Sequence, residues 1–144
     1  MSLSVCSPVM ESSEPAESGE DKPRRRLRLL IADDDRIFAE FLAELCASAG
    51  HEVVAIESNG GLAVLNKFLT YRPDVVLLDI IMPKFNGFTI AHHLRSRDEQ
   101  VKIIMMSGLV QEDYPSAKAC KPDSWLQKPI TFDTLCAALD SVID

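Results

Sequence analysis

No two of the four cysteines form a Cys-x-x-Cys pair. Cys6, Cys46, Cys120 and Cys136 lie far apart, which removes a zinc site and a redox motif from consideration and leaves reduced thiols as the expectation. Equally missing is any apolar run approaching the roughly 18 residues of a membrane span, and the N-terminus lacks the apolar centre of a signal peptide. A soluble, cytoplasmic protein without membrane attachment is expected. There is no excess of basic residues either: 22 acidic side chains face 15 Lys and Arg, a formal net charge of −7. Five of those acids (Glu11, Glu14, Glu17, Glu20, Asp21) and two bases (Lys22, Arg24) precede residue 25, so the remainder carries 17 acids and 13 bases, which argues against a surface made for nucleic acid. Arg24-Arg25-Arg26 with Arg28 is the one basic run, and it reads as a solvated junction. Residues 1–24 show Ser, Glu and Pro clusters and no apolar periodicity, so they are expected to form a disordered acidic, Ser-rich tail. Residues 25–144 have the size of one domain and leave no room for a second.

Within that domain, strand and helix patterns alternate. Leu27 to Ala32 reads as a strand, and Ile37, Phe38, Phe41, Leu42 and Leu45 then recur at helical spacing between Asp35, a suitable N-cap, and Gly50, a stop. Val53 to Ile56 is a second strand. Ser58-Asn59-Gly60-Gly61 turns into a helix presenting Leu62, Leu65, Phe68 and Leu69, which Arg72-Pro73 ends. A third strand runs to Asp79, and a helix follows Asn86 with Phe88, Ala91 and Leu94 inward. Val101 to Met106 is a continuous apolar run, as befits a parallel strand covered on both faces. Between Gly108 and Asp123, Pro115 and Pro122 bracket a short helix. Trp125 to Gln127 is a brief last strand, and Thr131 caps a helix carrying Phe132, Leu135, Cys136, Leu139 and Val142. Five strands alternating with five helices predict an α/β fold, a doubly wound five-stranded parallel sheet whose ligands bind beyond the carboxyl ends of the strands.

Chemistry-bearing residues fall at those ends. Asp79 closes the apolar run from Val75 to Leu78, Asp33 and Asp34 close the run ending at Ala32, and Ser107 and Lys128 close two more. Carboxylates converging to about 5 Å repel by roughly 3 kcal/mol per pair at an effective dielectric of 20. One Lys128 does not cancel three such charges. Either a carboxyl is pushed to its neutral form or a divalent cation sits among them. Hard oxygen ligands without nearby His or Cys favour Mg2+, which commonly bridges carboxylates to phosphate, so these strand ends read as a magnesium and phosphoryl site. His92-His93 lies on a predicted helix, where neighbours point apart, and reads as a surface pair. Asp35 is assigned to capping, and Asn86-Gly87 to shaping the turn after the acidic strand.

Over about residues 26–144 the chain resembles the receiver domain of two-component response regulators. The resemblance rests on Leu29-Leu30-Ile31-Ala32-Asp33-Asp34-Asp35, Asp79-Ile80-Ile81-Met82-Pro83 with Asn86-Gly87, Ser107-Gly108 and Lys128-Pro129. It implies a flavodoxin-like (βα)5 fold of strand order 2-1-3-4-5. Asp79 would be the phosphate acceptor, supplied by a histidine kinase or a histidine phosphotransfer protein. Asp33, Asp34 and Asp79 would hold Mg2+, with the Ile81 backbone carbonyl as a further ligand. Ser107 would bond one phosphoryl oxygen and Lys128 would pair with another. Trp125 stands where the family usually carries an aromatic switch residue; it either swings inward as Ser107 moves or simply caps the core.

Departures from the family pattern carry their own expectations. Ser107-Gly108 replaces the commoner Thr-Ala, and Cys120-Lys121-Pro122-Asp123 lacks the usual Ala-Gly-Ala turn. Ile81 and Leu109 occupy the two positions that, in the family, flank the path of attacking water. Both are apolar and neither can orient water or act as a base, so slow self-dephosphorylation is expected, against the plainer reading of both as rim hydrophobes.

Two rival readings use the same residues. Asp33-Asp34-Asp35 contains the Asp-x-Asp spacing of haloacid-dehalogenase-like phosphatases, with Asp33 as nucleophile and Asp35 as general acid, but this leaves the Asp79 motif unexplained. The other rival is a binding module of the same fold that is never phosphorylated. If the chain is complete it has no output domain and acts by docking to another protein or as a phosphoryl shuttle; a piece of a longer regulator is the alternative.

Overall fold

A computed structural model describes residues 25–82, 85–109 and 120–143. The expected tail over residues 1–24 and the short helix expected before Pro122 lie outside the described residues, the latter over 110–119. In chain order the elements are β1 (Arg28–Ala32), α1 (Arg36–Ser48), β2 (Glu52–Glu57), α2 (Gly61–Tyr71), β3 (Val75–Asp79), β4 (Ile81–Met82), β5 (Phe85–Asn86), α3 (Gly87–Arg97), β6 (Lys102–Ser107), β7 (Ser124–Gln127) and α4 (Phe132–Val142). The five long strands form one sheet in the order β2-β1-β3-β6-β7, every pair parallel, which is the order expected from the resemblance. The antiparallel pair β4-β5 is additional: Ile81 pairs with Asn86 and Met82 with Phe85, immediately after the acidic strand.

Local chemistry explains where the helices begin and end. The Asp35 side chain accepts from the Phe38 amide at 3.1 Å, and the Asn86 side chain from the Thr89 amide at 2.8 Å, each satisfying one otherwise orphaned donor. At α4, Thr131 and Thr134 exchange such bonds in a reciprocal cap. Gly50, at φ +92°, lets the chain turn away after α1.

The sheet separates two apolar clusters. One joins Leu29, Ile31, Leu77, Ile104 and Met106 to α1 and α4; the other joins Leu30, Val76, Leu78, Ile103 and Met105 to α2 and α3. Alternate residues of each strand feed opposite clusters, which is why the strands read as unbroken apolar runs.

The helix faces differ from the sequence reading. On α1 the fully buried residues are Ala39, Leu42 and Cys46, while Ile37 is 81% exposed and Phe41 lies outside as well. On α2 they are Gly61, Val64 and Phe68, with Leu62 66% exposed and Leu69 partly so. Phe132 likewise lies outward on α4, whereas Leu135, Leu139 and Val142 are buried as expected. Ala39, Leu42 and Cys46 on α1, and Val64 and Phe68 on α2, face the sheet, and the apolar residues beside them are rotated toward water.

The segment without the usual small-residue turn is held by a clamp. Lys121 sits in the left-handed region at φ +53°, which side chains other than Gly seldom adopt. Arg95 of α3 donates to the Cys120 and Lys121 carbonyls at 2.8 and 2.9 Å and to Asp123 at 2.9 Å. Asp123 also accepts from the Ile103 amide at 2.8 Å, which fastens the turn to β6. No helix among the described residues is long and apolar enough to cross a membrane.

Candidate functional site

Strand register brings the chemistry together. Ala32 pairs with Leu78, Asp79 with Met106, and Ser107 with Gln127, so Asp33, Asp79, Ser107 and Lys128 all emerge at the same carboxyl edge. The Lys128 amide donates to the Ser107 carbonyl at 2.6 Å and the Asp33 amide to the Glu57 carbonyl at 3.0 Å, which fix the backbones on either side.

Asp33, Asp34 and Asp79 each offer a carboxylate oxygen, and these oxygens lie within 4.8 Å of one another. Asp33 and Asp79 are buried while Asp34 is exposed, so the cluster is open to solvent on one side only. Lys128 donates to Asp33 at 2.9 Å and stands 3.7 Å from Asp79. The other Asp33 oxygen accepts from the Asp35 amide at 2.9 Å.

The electrostatics follow from that arrangement. Burial, followed by repulsion from Asp33, pushes the Asp79 carboxyl up to about 7; Lys128 opposes the shift, Asp34 adds to it, and a hydrogen bond from the Ile81 backbone offsets a little of it. Burial alone would lower the Lys128 ammonium, but its hydrogen bond to Asp33 and the charges of Asp79, Asp33 and Asp34 together leave it raised. One lysine therefore does not neutralise the cluster, as the charge count in the sequence implied. The donor set is all oxygen, acidic and partly open, which suits a hard divalent cation.

Ser107 is buried, and its Oγ accepts from the Leu109 amide at 3.0 Å. The Leu109 carbonyl in turn accepts from Trp125 Nε1 at 3.2 Å. Trp125 is half-buried and packs against the α2-α3 cluster, so it caps that core and is also tied, through one residue, to the Ser107 hydroxyl. Ile81 and Leu109 are 69% and 51% exposed, respectively. Asp35 adjoins the acids and serves as the α1 cap, the duty the sequence assigns to it. His92 and His93 are exposed on α3, as read from the sequence.

Two residues matter more than the sequence reading allowed. Gly87 opens α3 directly behind the acidic strand: a Cβ there would lie 2.7 Å from the Asp79 carbonyl oxygen and 2.9 Å from the Ile80 Cα, and the Gly87 amide donates to the Ile80 carbonyl at 2.6 Å. Its sequence context suggests only a turn former, yet it permits a backbone contact. Phe38 is one apolar residue among several in the α1 sequence, and its ring centroid lies 4.6 Å from the Lys128 ammonium. No spacing signal joins residues 38 and 128.

A parallel doubly wound sheet carrying three carboxylates, a serine and a lysine at one edge defines a class of single-site α/β proteins. Comparison with known sequences narrows that class, because the profile of the response regulator receiver domain matches residues 29–140. The chain belongs to that family, whose members act in two-component signal transduction. It is 30% identical over 118 residues to the chemotaxis protein CheY of Bacillus subtilis, covering 81% of this chain and 98% of that protein. It is 29% identical over 119 residues to the response regulator MprA of a Mycobacterium species, covering 81% of this chain and 50% of that protein. Among solved structures, chemotaxis protein CheY4 of Vibrio cholerae superposes with a TM-score of 0.74 at 26% identity, covering 83% of this chain and all of the other.

Proposed function

We propose that Asp79 is a phosphoacceptor, taking a phosphoryl group from the phosphohistidine of a histidine kinase or a histidine phosphotransfer protein. The observation that carries this reading is the buried Asp79 carboxylate, set within 4.8 Å of two further acids and 3.7 Å from Lys128. An Asp79 oxygen forms the new bond to phosphorus while the phosphorus–nitrogen bond to the donor imidazole breaks; its electron pair stays on nitrogen, which takes up a proton. Such transfer requires little beyond alignment and neutralisation of charge. Asp33, Asp34, Asp79 and the Ile81 carbonyl would hold Mg2+, which supplies positive charge against the phosphoryl oxygens when bound. Lys128 pairs with one of those oxygens and the Ser107 hydroxyl donates to another.

The same contacts make a switch. Drawing Ser107 Oγ toward a phosphoryl oxygen withdraws the acceptor of the Leu109 amide, and the Leu109 carbonyl is what holds the Trp125 indole. A new charge at Asp79 thus reaches the surface around β7 by way of one loop residue. The deciding experiment is intact-mass analysis after incubation with acetyl phosphate and Mg2+. The wild type is expected to gain one phosphoryl group only with Mg2+, with a change in emission from Trp125, the only tryptophan, while Asp79→Asn gains none. A folded wild type that stays unlabelled would identify an unphosphorylated binding module instead.

The phosphorylated state should be long-lived, because Ile81 and Leu109 present apolar, exposed side chains where attacking water must pass. Ile81→Asn, which can orient that water with one hydrogen bond, is expected to speed loss of the label by about five-fold, roughly 1 kcal/mol of barrier. Following the label by mass after the donor is removed checks this; an unchanged decay rate assigns Ile81 to the rim alone.

A further inference from the structure

We infer that Phe38 is a positioning residue for the phosphoryl reaction, its ring face holding the Lys128 ammonium in place through every state of the site. The inference rests on the phosphoacceptor reading. Lys128 leaves β7 with a flexible four-carbon stem and ends among three partners: Asp33 at 2.9 Å, Asp79 at 3.7 Å, and the Phe38 ring centroid at 4.6 Å. An ammonium within about 6 Å of an aromatic centroid is attracted by the ring quadrupole. The ring itself is fixed independently of Lys128, since the Phe38 amide is capped by Asp35 and the side chain packs against the α1-α4 cluster.

The three partners behave differently as the site works. Asp33 shares its charge with a bound cation, and Asp79 loses its carboxylate character on forming the acyl phosphate. Both carboxylate contacts therefore weaken or change when Lys128 has to meet a phosphoryl oxygen. The quadrupole of a phenyl ring does not change with charge elsewhere. Of the three contacts, Phe38 alone is the same before, during and after transfer, and it limits the rotamers open to a lysine that is 27% exposed.

The test uses the full chain with Phe38→Leu, which keeps an apolar filler and removes the ring, and Phe38→Tyr, which keeps the ring. Two readouts are taken: the NMR shift of the Lys128 ε-methylene protons, and the rate of labelling by acetyl phosphate at saturating Mg2+. The ε-protons are expected upfield in wild type and Phe38→Tyr through the ring current, and at ordinary positions in Phe38→Leu. The maximal labelling rate of Phe38→Leu is expected to fall about three- to thirty-fold, the span of cation–π strengths from exposed to desolvated sites, with Phe38→Tyr within about two-fold of wild type. Half-saturation by Mg2+ should stay unchanged, because the Phe38 ring offers no oxygen to a cation and faces Lys128. A wild-type rate in Phe38→Leu, or a Phe38→Tyr as slow as Phe38→Leu, overturns the inference. A wild type that shows the ring-current shift yet takes no label overturns the phosphoacceptor reading, and the role with it.

Discussion

Asp79→Asn, unfolded by urea in EDTA at pH 8, is expected to be more stable than the wild type by about 2–4 kcal/mol, and to lose that advantage as the pH falls toward 4. The sign follows from the direction of the shift. Asp79 titrates near 7 in the folded protein against an ordinary value of 3.8, so the folded state binds the proton more tightly than the unfolded chain. Below about pH 4 the carboxyl is neutral in both states and contributes nothing. Between about 4 and 7 the unfolded chain has released its proton while the folded chain keeps it, so stability declines with rising pH; above 7 the full cost is present, on the order of a few kcal/mol. Asn has nearly the same shape and no charge to repel Asp33. Saturating Mg2+ should stabilise the wild type by mass action and close the gap. Equal urea midpoints for the two proteins at pH 8 without metal would mean that the carboxylates are not in conflict.

Lys128→Met should do the opposite. It retains an unbranched apolar stem against Phe38 and removes the cation 2.9 Å from Asp33, a carboxylate with no solvent exposure at all. Deleting one partner of a buried ion pair costs 3–5 kcal/mol, and the partial exposure of Lys128 reduces this to about 2–4 kcal/mol in metal-free protein. Mg2+ should restore part of the stability, since a divalent cation answers the same carboxylate. It should not restore phosphoryl transfer, expected to fall about a hundred-fold, because on the proposed reading Lys128 would pair with a phosphoryl oxygen and that charge is lost. Urea titrations with and without Mg2+, paired with labelling rates, separate the two effects. Full recovery of the labelling rate by Mg2+ would show Lys128 to be a structural counter-charge only.

The strand ends were legible because burial and charge change abruptly there: a continuous apolar run followed by Asp33 or Asp79 admits few other placements. The caps at Asp35 and Thr131 were legible because each hydrogen bond spans three residues, whereas Asn86, which the sequence suggests only as a turn former, caps α3 by the same geometry. Helix faces were harder. Ile37 and Phe41, or Leu62 and Leu69, share the helical period of the buried stripe and differ from it only in phase, which the sheet and not the helix sequence decides. The β4-β5 pair has strands of two residues, too short for any alternation to show. The contact between Phe38 and Lys128 joins positions whose proximity exists only once β1 and β7 share an edge.

Gly87 has a mechanical consequence. Side chains ordinarily stand between a helix and the strand beneath it, and they bend or change rotamer when one shifts against the other. Behind Asp79 there is nothing of the kind, because main chain meets main chain at the start of α3 and a short hydrogen bond ties the two. Strand end and helix start form a stiff joint without a cushion. A displacement of the Asp79 backbone would therefore press on α3 through main chain at its first residue, with no side chain between them at Gly87 to absorb it.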